Sequence, residues 1–325
     1  MIQYIIRRLF YAIPLLIGVN ILTFVLFFIV NSPDDMARMQ LGQKHVTDKA
    51  IDNWKQQHGY NLPLLWNSES TAEKKITQTI FFTKSMGLFT FNFGNSDNGR
   101  NIGADISQRM WPSLAVALPT LIIGLLVNIC FALMMVLFRQ SYLELAGMVL
   151  CITIMSVSSL FYIIGGQFFI GKLLRLTPIS GYDDGFAMLK FLILPVLVGV
   201  FSGIGSGVRW YRTLFLEEVE KDYVRTARAK GLTEIKTLFR HVLPNAMLPI
   251  LTGVVVVLPT LFMGSLIMES FFSIPGLGSY TIDAINNQDF AIVRAMVFLG
   301  SVLYIIGLLL TDISYTLADP RVRLA

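Results

Sequence analysis

Five uncharged apolar runs, at 9–30, 114–138, 145–171, 191–208 and 246–268, divide this 325-residue chain. Each approaches or exceeds the roughly 20 apolar residues that cross a bilayer as a single helix. A sixth run, 290–315, carries Arg294 and Asp312 only near its ends. Lipid offers the backbone no hydrogen-bond partners, so such runs must satisfy themselves as helices. The chain therefore reads as an all-α, polytopic membrane protein with about six transmembrane helices. Composition agrees, since 54% hydrophobic and 14% charged residues, with a mean hydropathy of +0.63, are too apolar for a soluble protein of this length.

The distribution of Lys and Arg then sets the orientation, because cytoplasmic loops collect them. Arg7, Arg8, Arg139, the basic stretch 209–240, Arg321 and Arg323 all fall on one side if both termini are cytoplasmic. The connection 269–289 has neither Lys nor Arg, whereas Lys172, Arg175 and Lys190 run against the pattern. The first run follows Arg7 and Arg8 but exceeds a signal-peptide core and lacks a small-residue cleavage site, so it reads as a retained helix. In a membrane protein the net charge of +5 belongs to this bias and implies no nucleic acid. Cys130 and Cys151 both lie in apolar runs and imply no disulfide framework.

One charged, helix-forming stretch interrupts the apolar pattern: DYVRTARAKGLTEIKTLFRHVLP, at 222–244. From Glu217 to Lys230 acids come early and bases late, as a helix dipole prefers. Gly231 then permits the positive φ of a helix C-terminus, and a second helical piece leads to Pro244. A solvated basic connector would need neither this length nor this helical character. The stretch resembles the cytoplasmic loop of bacterial ABC-importer permeases, in which a short helix, a glycine turn and a later Leu-Pro dock into a partner ATPase. Ala227, Gly231, Leu243 and Pro244 stand at matching spacing, while Arg225 and Thr226 replace that loop's usual Glu and first Ala. The variant, with Asp222 and Tyr223 before it, resembles the dipeptide/oligopeptide/nickel permease family, first-subunit type.

Further segments extend the resemblance. Those at 32–42, 59–65 and 93–106 follow in order the family's Pro-Gly-Asp segment, its Gly-Leu-x-x-Pro-Leu stretch and its Gly-x-Ser turn. Pro33 and Asp35 fit the first, but Asp34 stands where the family has glycine, and 68–82 does not align. At 269–278, ESFFSIPGLG is similar to the turn after the family's fifth span, and Asp283-Ala284-Ile285, Asp289-Phe290 and the closing Asp319-Pro320-Arg321 continue the likeness. In related importers that turn lies near the external mouth of the pathway. Phe272, Pro275, Gly276 and Gly278 are thus expected in either a gate or a structural turn, with Phe271, Phe272, Ile274 and Leu277 forming an apolar corner at the membrane surface.

Ionisable groups are scarce inside the runs. Asn20, Asn128 and Gln167 either bond between helices or line a pathway, and Glu269 and Asp312 are expected near span ends, within reach of water. Gly199, Gly203, Gly205 and Gly207 suit close helix packing or a hinge. A proton- or sodium-coupled carrier generally needs midplane carboxylates or broken helices, so the energy is expected from outside the chain. No Walker A pattern occurs, which places ATP and Mg on partner subunits, with no cofactor or metal bound by this chain. The resemblance implies a transport subunit rather than an enzyme. Its expected partners are a second permease, two ATPase subunits, an extracytoplasmic substrate-binding protein and membrane lipid, and its expected cargo is short peptides or related small solutes. The expected division is 1–30 as the cytoplasmic end and first span, 31–110 as an extracytoplasmic loop or subdomain, and 111–325 as a permease core with the coupling loop at 209–244. The main rival is an autonomous secondary carrier or channel. An intramembrane serine hydrolase built on Ser206 fails because His45, His58 and His241 all lie outside the runs.

Overall fold

The computed structural model describes residues 2–42, 46–68 and 74–318; His45, the closing Asp319-Pro320-Arg321 and Arg323 lie outside them. Among the described residues the fold is all-α, with a single isolated bridge between Asn95 and Asn101 in place of any sheet. Among the described residues five helices are long and apolar enough to span a membrane: Ile6–Val30, Ile102–Leu137, Gly185–Val219, Glu234–Met263 and Phe290–Ser314.

The third apolar run departs from expectation. It is two helices, Tyr142–Ser156 and Ser159–Leu173, bent by 90° at their junction, and it makes a sixth span only if the pair counts as one. A break in lipid must re-satisfy the backbone groups it frees. Ser158 does so on one side, its hydroxyl accepting from the Leu160 N–H at 3.4 Å. On the other side the Tyr162 hydroxyl donates to the Ile154 carbonyl at 2.9 Å. The next interruption comes after Leu243–Val257, where a short tight turn, Pro259–Met263, ends at Gly264 with φ +67°.

Contact density separates the chain into two compact units. One comprises 1–109 with 280–309, so the expected loop 31–110 shares it with the first span and with most of the last. Its core gathers Phe24, Phe28, Met36, Ile51, Trp54, Tyr60 and Ile80. Here Ser32 and Asp35 form a reciprocal capping box on the helix Pro33–Leu41, with Pro33 in its first turn. Asp34, the departure from the family's glycine, therefore sits in a helical turn that requires no glycine. Its carboxylate pairs with Lys55 Nζ at 2.8 Å, and together with Asp52 holds that lysine above its ordinary pKa.

The other unit comprises 110–279 with 310–323. Its main core joins Ala132, Met135 and Val136 to Cys151, Val208, Phe215, Val219, Val224, Leu238, Val242, Ala246 and Ile250. Small residues bring its helices together. A Cβ at Gly205 would stand 2.5 Å from the Cys151 carbonyl oxygen, and one at Gly207 would overlap the Asn128 side chain. Packing, the first reading of this stripe, accounts for both positions, whereas Gly203 faces open space.

Candidate functional site

The charged stretch folds as a helix, a glycine turn and a second helical approach to the membrane. Helix Asp222–Ala229 starts after Lys221 in an extended conformation. Val224 and Ala227, three residues apart on one face, are buried. Asp222, Tyr223, Arg225 and Thr226 are exposed, so four of the expected contact residues face outward while Ala227 packs inward. The helix ends in a Schellman motif. Gly231 N–H donates to the Arg228 carbonyl at 2.9 Å and Leu232 N–H to the Ala227 carbonyl at 3.3 Å, with Gly231 at φ +80°.

Across that turn Arg228 Nη2 donates to Glu234 Oε2 at 3.0 Å, and Thr233 caps the short helix Glu234–Thr237. The path continues through a wide helical turn, Leu238–Val242, into Leu243–Val257, with Leu243 half-buried and Pro244 exposed in its first turn. Leu238 and Val242 pack in the same cluster as Val224, Phe215 and Val219, fastening the loop to the spans on either side. The Tyr223 hydroxyl donates to Glu218, and burial together with this carboxylate raises its pKa well above the ordinary value.

Two further features of this region escaped sequence reasoning. Ile235 and Phe239, one helical turn apart, are 57% and 58% exposed on an otherwise charged segment. Their i, i+4 spacing was the available signal. The other is Glu144, 7% exposed, which accepts from Arg212 Nε at 3.1 Å and from the Gln140 backbone N–H at 2.5 Å. It ties the helix Tyr142–Ser156 to Leu189–Val219, a pairing that no local pattern announces.

The second candidate site lies beyond the Glu234–Met263 span. Glu269, in the helix Leu266–Phe272, is 1% exposed, so the expectation of a water-accessible carboxylate is wrong. Its Oε1 accepts from Ser265 N–H at 3.2 Å and its Oε2 from Ser279 N–H at 3.1 Å. Burial pushes its carboxyl pKa up, while hydrogen bonds from Ser113, Ser279, Ser265 and Gly278 pull it down. Ser113 Oγ also accepts the Leu277 N–H at 2.8 Å, and Ser279 Oγ donates to the Ile274 carbonyl at 2.7 Å.

The Pro275-Gly276 turn folds over this carboxylate so closely that a Cβ at Gly276 would overlap both Glu269 and Ser113. One at Gly278 would stand 2.6 Å from the Ser265 carbonyl. The apolar corner also turns inward: Phe272, Ile274 and Leu277 are each 1% exposed, leaving Phe271 and Pro275 outside. Burying three large apolar side chains outweighs any interfacial preference. Gln167 acts as a strap, its Nε2 donating to the Phe271 carbonyl at 2.9 Å and the Ile179 carbonyl at 3.2 Å. Ser206, the discarded nucleophile, donates its hydroxyl to the Gly203 carbonyl at 3.3 Å.

Comparison with known proteins identifies the family of the chain. Residues 128–324 match the family described as binding-protein-dependent transport system inner membrane component, and residues 1–83 match that family's N-terminal region. The chain is 28% identical to the oligopeptide transport system permease protein AppB of Bacillus subtilis, over 99% of this chain and 100% of the relative. It is 27% identical to the dipeptide transport system permease protein DppB of the same organism, over 100% and 99%. It is 30% identical to a probable peptide ABC transporter permease of Sinorhizobium fredii, over 98% and 99%.

Proposed function

We propose that this chain, which belongs to the family of binding-protein-dependent transport system inner membrane components, is one of two paired permeases that admit short peptides or related small solutes through the bacterial cytoplasmic membrane. It is a permease subunit of an ATP-driven ABC transporter, not an enzyme, and the ATP and Mg it depends on are handled by partner subunits. The peptide cargo is inferred from the relatives, whose names specify oligopeptide, dipeptide and peptide transport. A second permease, two ATPases and an extracytoplasmic binding protein complete the assembly.

The observation that carries the reading is the construction of the 222–244 stretch. Its inward face is locked into the membrane core through Val224, Leu238 and Val242, while its outward face presents Asp222, Tyr223, Arg225, Thr226 and Pro244, with Ile235 and Phe239 beside them. A segment rigid on one side and chemically mixed on the other suits transmission of force from a soluble ATPase. With this face toward the cytoplasmic ATPases, and with the Lys and Arg bias of the loops in support, both termini are cytoplasmic in this arrangement. The Glu269 turn, packed around a buried carboxylate, serves as a structural latch at the external end of the pathway.

The deciding experiment is a mild-detergent pull-down of the tagged protein from its native membranes, followed by mass spectrometry of the co-purifying chains. Recovery of a second permease and ATPase subunits is expected, and Phe239→Asp should release the ATPases while leaving the permease pair intact. A chain that purifies alone and still moves solute without ATP would refute this arrangement in favour of an autonomous carrier.

A further inference from the structure

Arg294 opens the helix Phe290–Ala318 and is 4% exposed. A buried guanidinium ordinarily forks onto a carboxylate. Here Nε and Nη1 have no hydrogen-bond partner, although two acids of the same compact unit lie close enough to act on Arg294 electrostatically. Both are engaged elsewhere. Asp289 accepts the Ile292 N–H at 3.2 Å and the Asp97 N–H at 2.9 Å. Asp97 takes Gln40 Nε2 at 2.6 Å and has His58 Nε2 at 3.8 Å. The ring of Phe28 stacks against the guanidinium, 4.9 Å from ring centroid to Cζ, and a ring supplies no acceptor for an in-plane N–H.

Arg294 lines a polar cavity of about 510 Å³, together with Lys84, His58, Tyr60, Asp97 and Ser96, with its Nε and Nη1 buried in the cavity wall. Lys84 is half-buried, with its Nζ 5.2 Å from the centre of the Tyr60 ring, and burial beside Arg294 lowers its pKa. Two cationic groups whose nearest acids serve other donors, facing one polar cavity, form a receptor for a planar anion. A carboxylate fits best, because its two oxygens can take one guanidinium N–H and the lysine ammonium together. Asp97 on the cavity wall disfavours a more highly charged anion such as phosphate.

We propose that this cavity binds a carboxylate, held by Arg294 and Lys84. It enters either on a small solute or as the acidic side chain of a docked partner protein. The proposal goes beyond the importer reading and does not need it, since binding is measured without ATP or transport.

The test is calorimetric titration of the purified permease complex in nanodiscs with N-acetylglycine and, separately, with the neutral isostere N-acetylglycinamide, at fixed chloride. Saturable binding of the acid alone is expected, weakened about tenfold or more by Arg294→Lys, which keeps the charge but not the fork. Lys84→Met, at a half-buried position that tolerates an apolar stem, should weaken it several-fold, and it keeps the test decisive if Arg294→Lys fails to assemble. Repeating the titration with the soluble binding protein present separates the sources. Mutual exclusion assigns the site to a partner's side chain, and independent binding assigns it to a solute. Equal affinity for acid and amide, no saturable binding of either, or wild-type affinity in the assembled variants would overturn the proposal.

Discussion

Replacing Glu269 by alanine separates a latch from a gate, because the carboxylate's partners fix the size of the effect. Two backbone donors, the buried Ser279 N–H at 3.1 Å and the part-buried Ser265 N–H at 3.2 Å, would lose their acceptor. A buried donor left without a partner costs about 1–3 kcal/mol and a part-buried one less, so the two together cost about 2–4 kcal/mol. The side-chain volume lost beneath Gly276 adds to this. Glu269→Gln keeps the volume and one acceptor oxygen but sets an amide NH2 against the second donor, which limits the loss to about 1–3 kcal/mol. Ser113→Ala strands the Leu277 N–H and belongs in the same range. At about 2–4 °C per kcal/mol for a protein of this size, Glu269→Ala should lower the unfolding midpoint of the purified complex by about 10 °C. The glutamine and serine variants should lose about half as much or less. The assay is fluorescence-detected size exclusion after heating, with transport normalised to folded complex. An alanine variant that melts with the parent but transports at an altered rate would refute the latch and make the turn a gate.

The proposed coupling role of the Gly231 turn can be tested through backbone conformation alone, because a Cβ there meets nothing within 4 Å while φ is +80°. Gly231→Val should therefore weaken ATPase association or uncouple hydrolysis from uptake through strain of about 1–2 kcal/mol or more, with Gly231→Asn milder; unchanged uptake in the valine variant at normal expression contradicts the assigned role. The Tyr60 phenol is pushed up to about 12 by burial. From its ordinary value near 10 to about 12 the unfolded chain loses a proton that the folded one keeps, so stability falls by up to ~3 kcal/mol as pH rises through that window. Tyr60→Phe should remove this component of alkaline melting. At the bend in the third span, Tyr162→Phe deletes the donor to the Ile154 carbonyl and should cost about 1 kcal/mol, read as a lowered melting midpoint in the same heating assay.

Hydropathy predicted the spans that run unbroken and missed both the bend in the third run and the break at Gly264 in the fifth. The run 145–171 is as apolar as its neighbours, and what divides it is a serine hydroxyl and a tyrosine hydroxyl placed to serve freed backbone groups. A scale that scores residues by transfer energy does not register such partners. Gly231 was legible for the opposite reason: a helix C-terminus imposes a local conformational demand, and one residue type meets it best. Glu269 and Arg294 look alike in sequence, each a lone charge at the margin of an apolar run. Their burial depends on neighbours far along the chain, Ser113 and Ser279 for the first, Phe28 and Lys84 for the second. Distance from a span end was therefore a poor measure of access to water.

The same distinction bears on how the proposed coupling loop would work. Its sequence signals, Ala227, Gly231 and Leu243-Pro244, specify shape, but the ability to transmit a displacement rests on Val224, Leu238 and Val242 being close-packed with Phe215, Val219, Ala246 and Ile250. Interiors packed at this density resist compression, so a push on the exposed face moves the attached helices rather than indenting the loop. Under the proposed arrangement, Leu189–Val219 and Leu243–Val257 move with the loop as one piece. The tie from Arg212 to Glu144 adds the helix Tyr142–Ser156 to that piece.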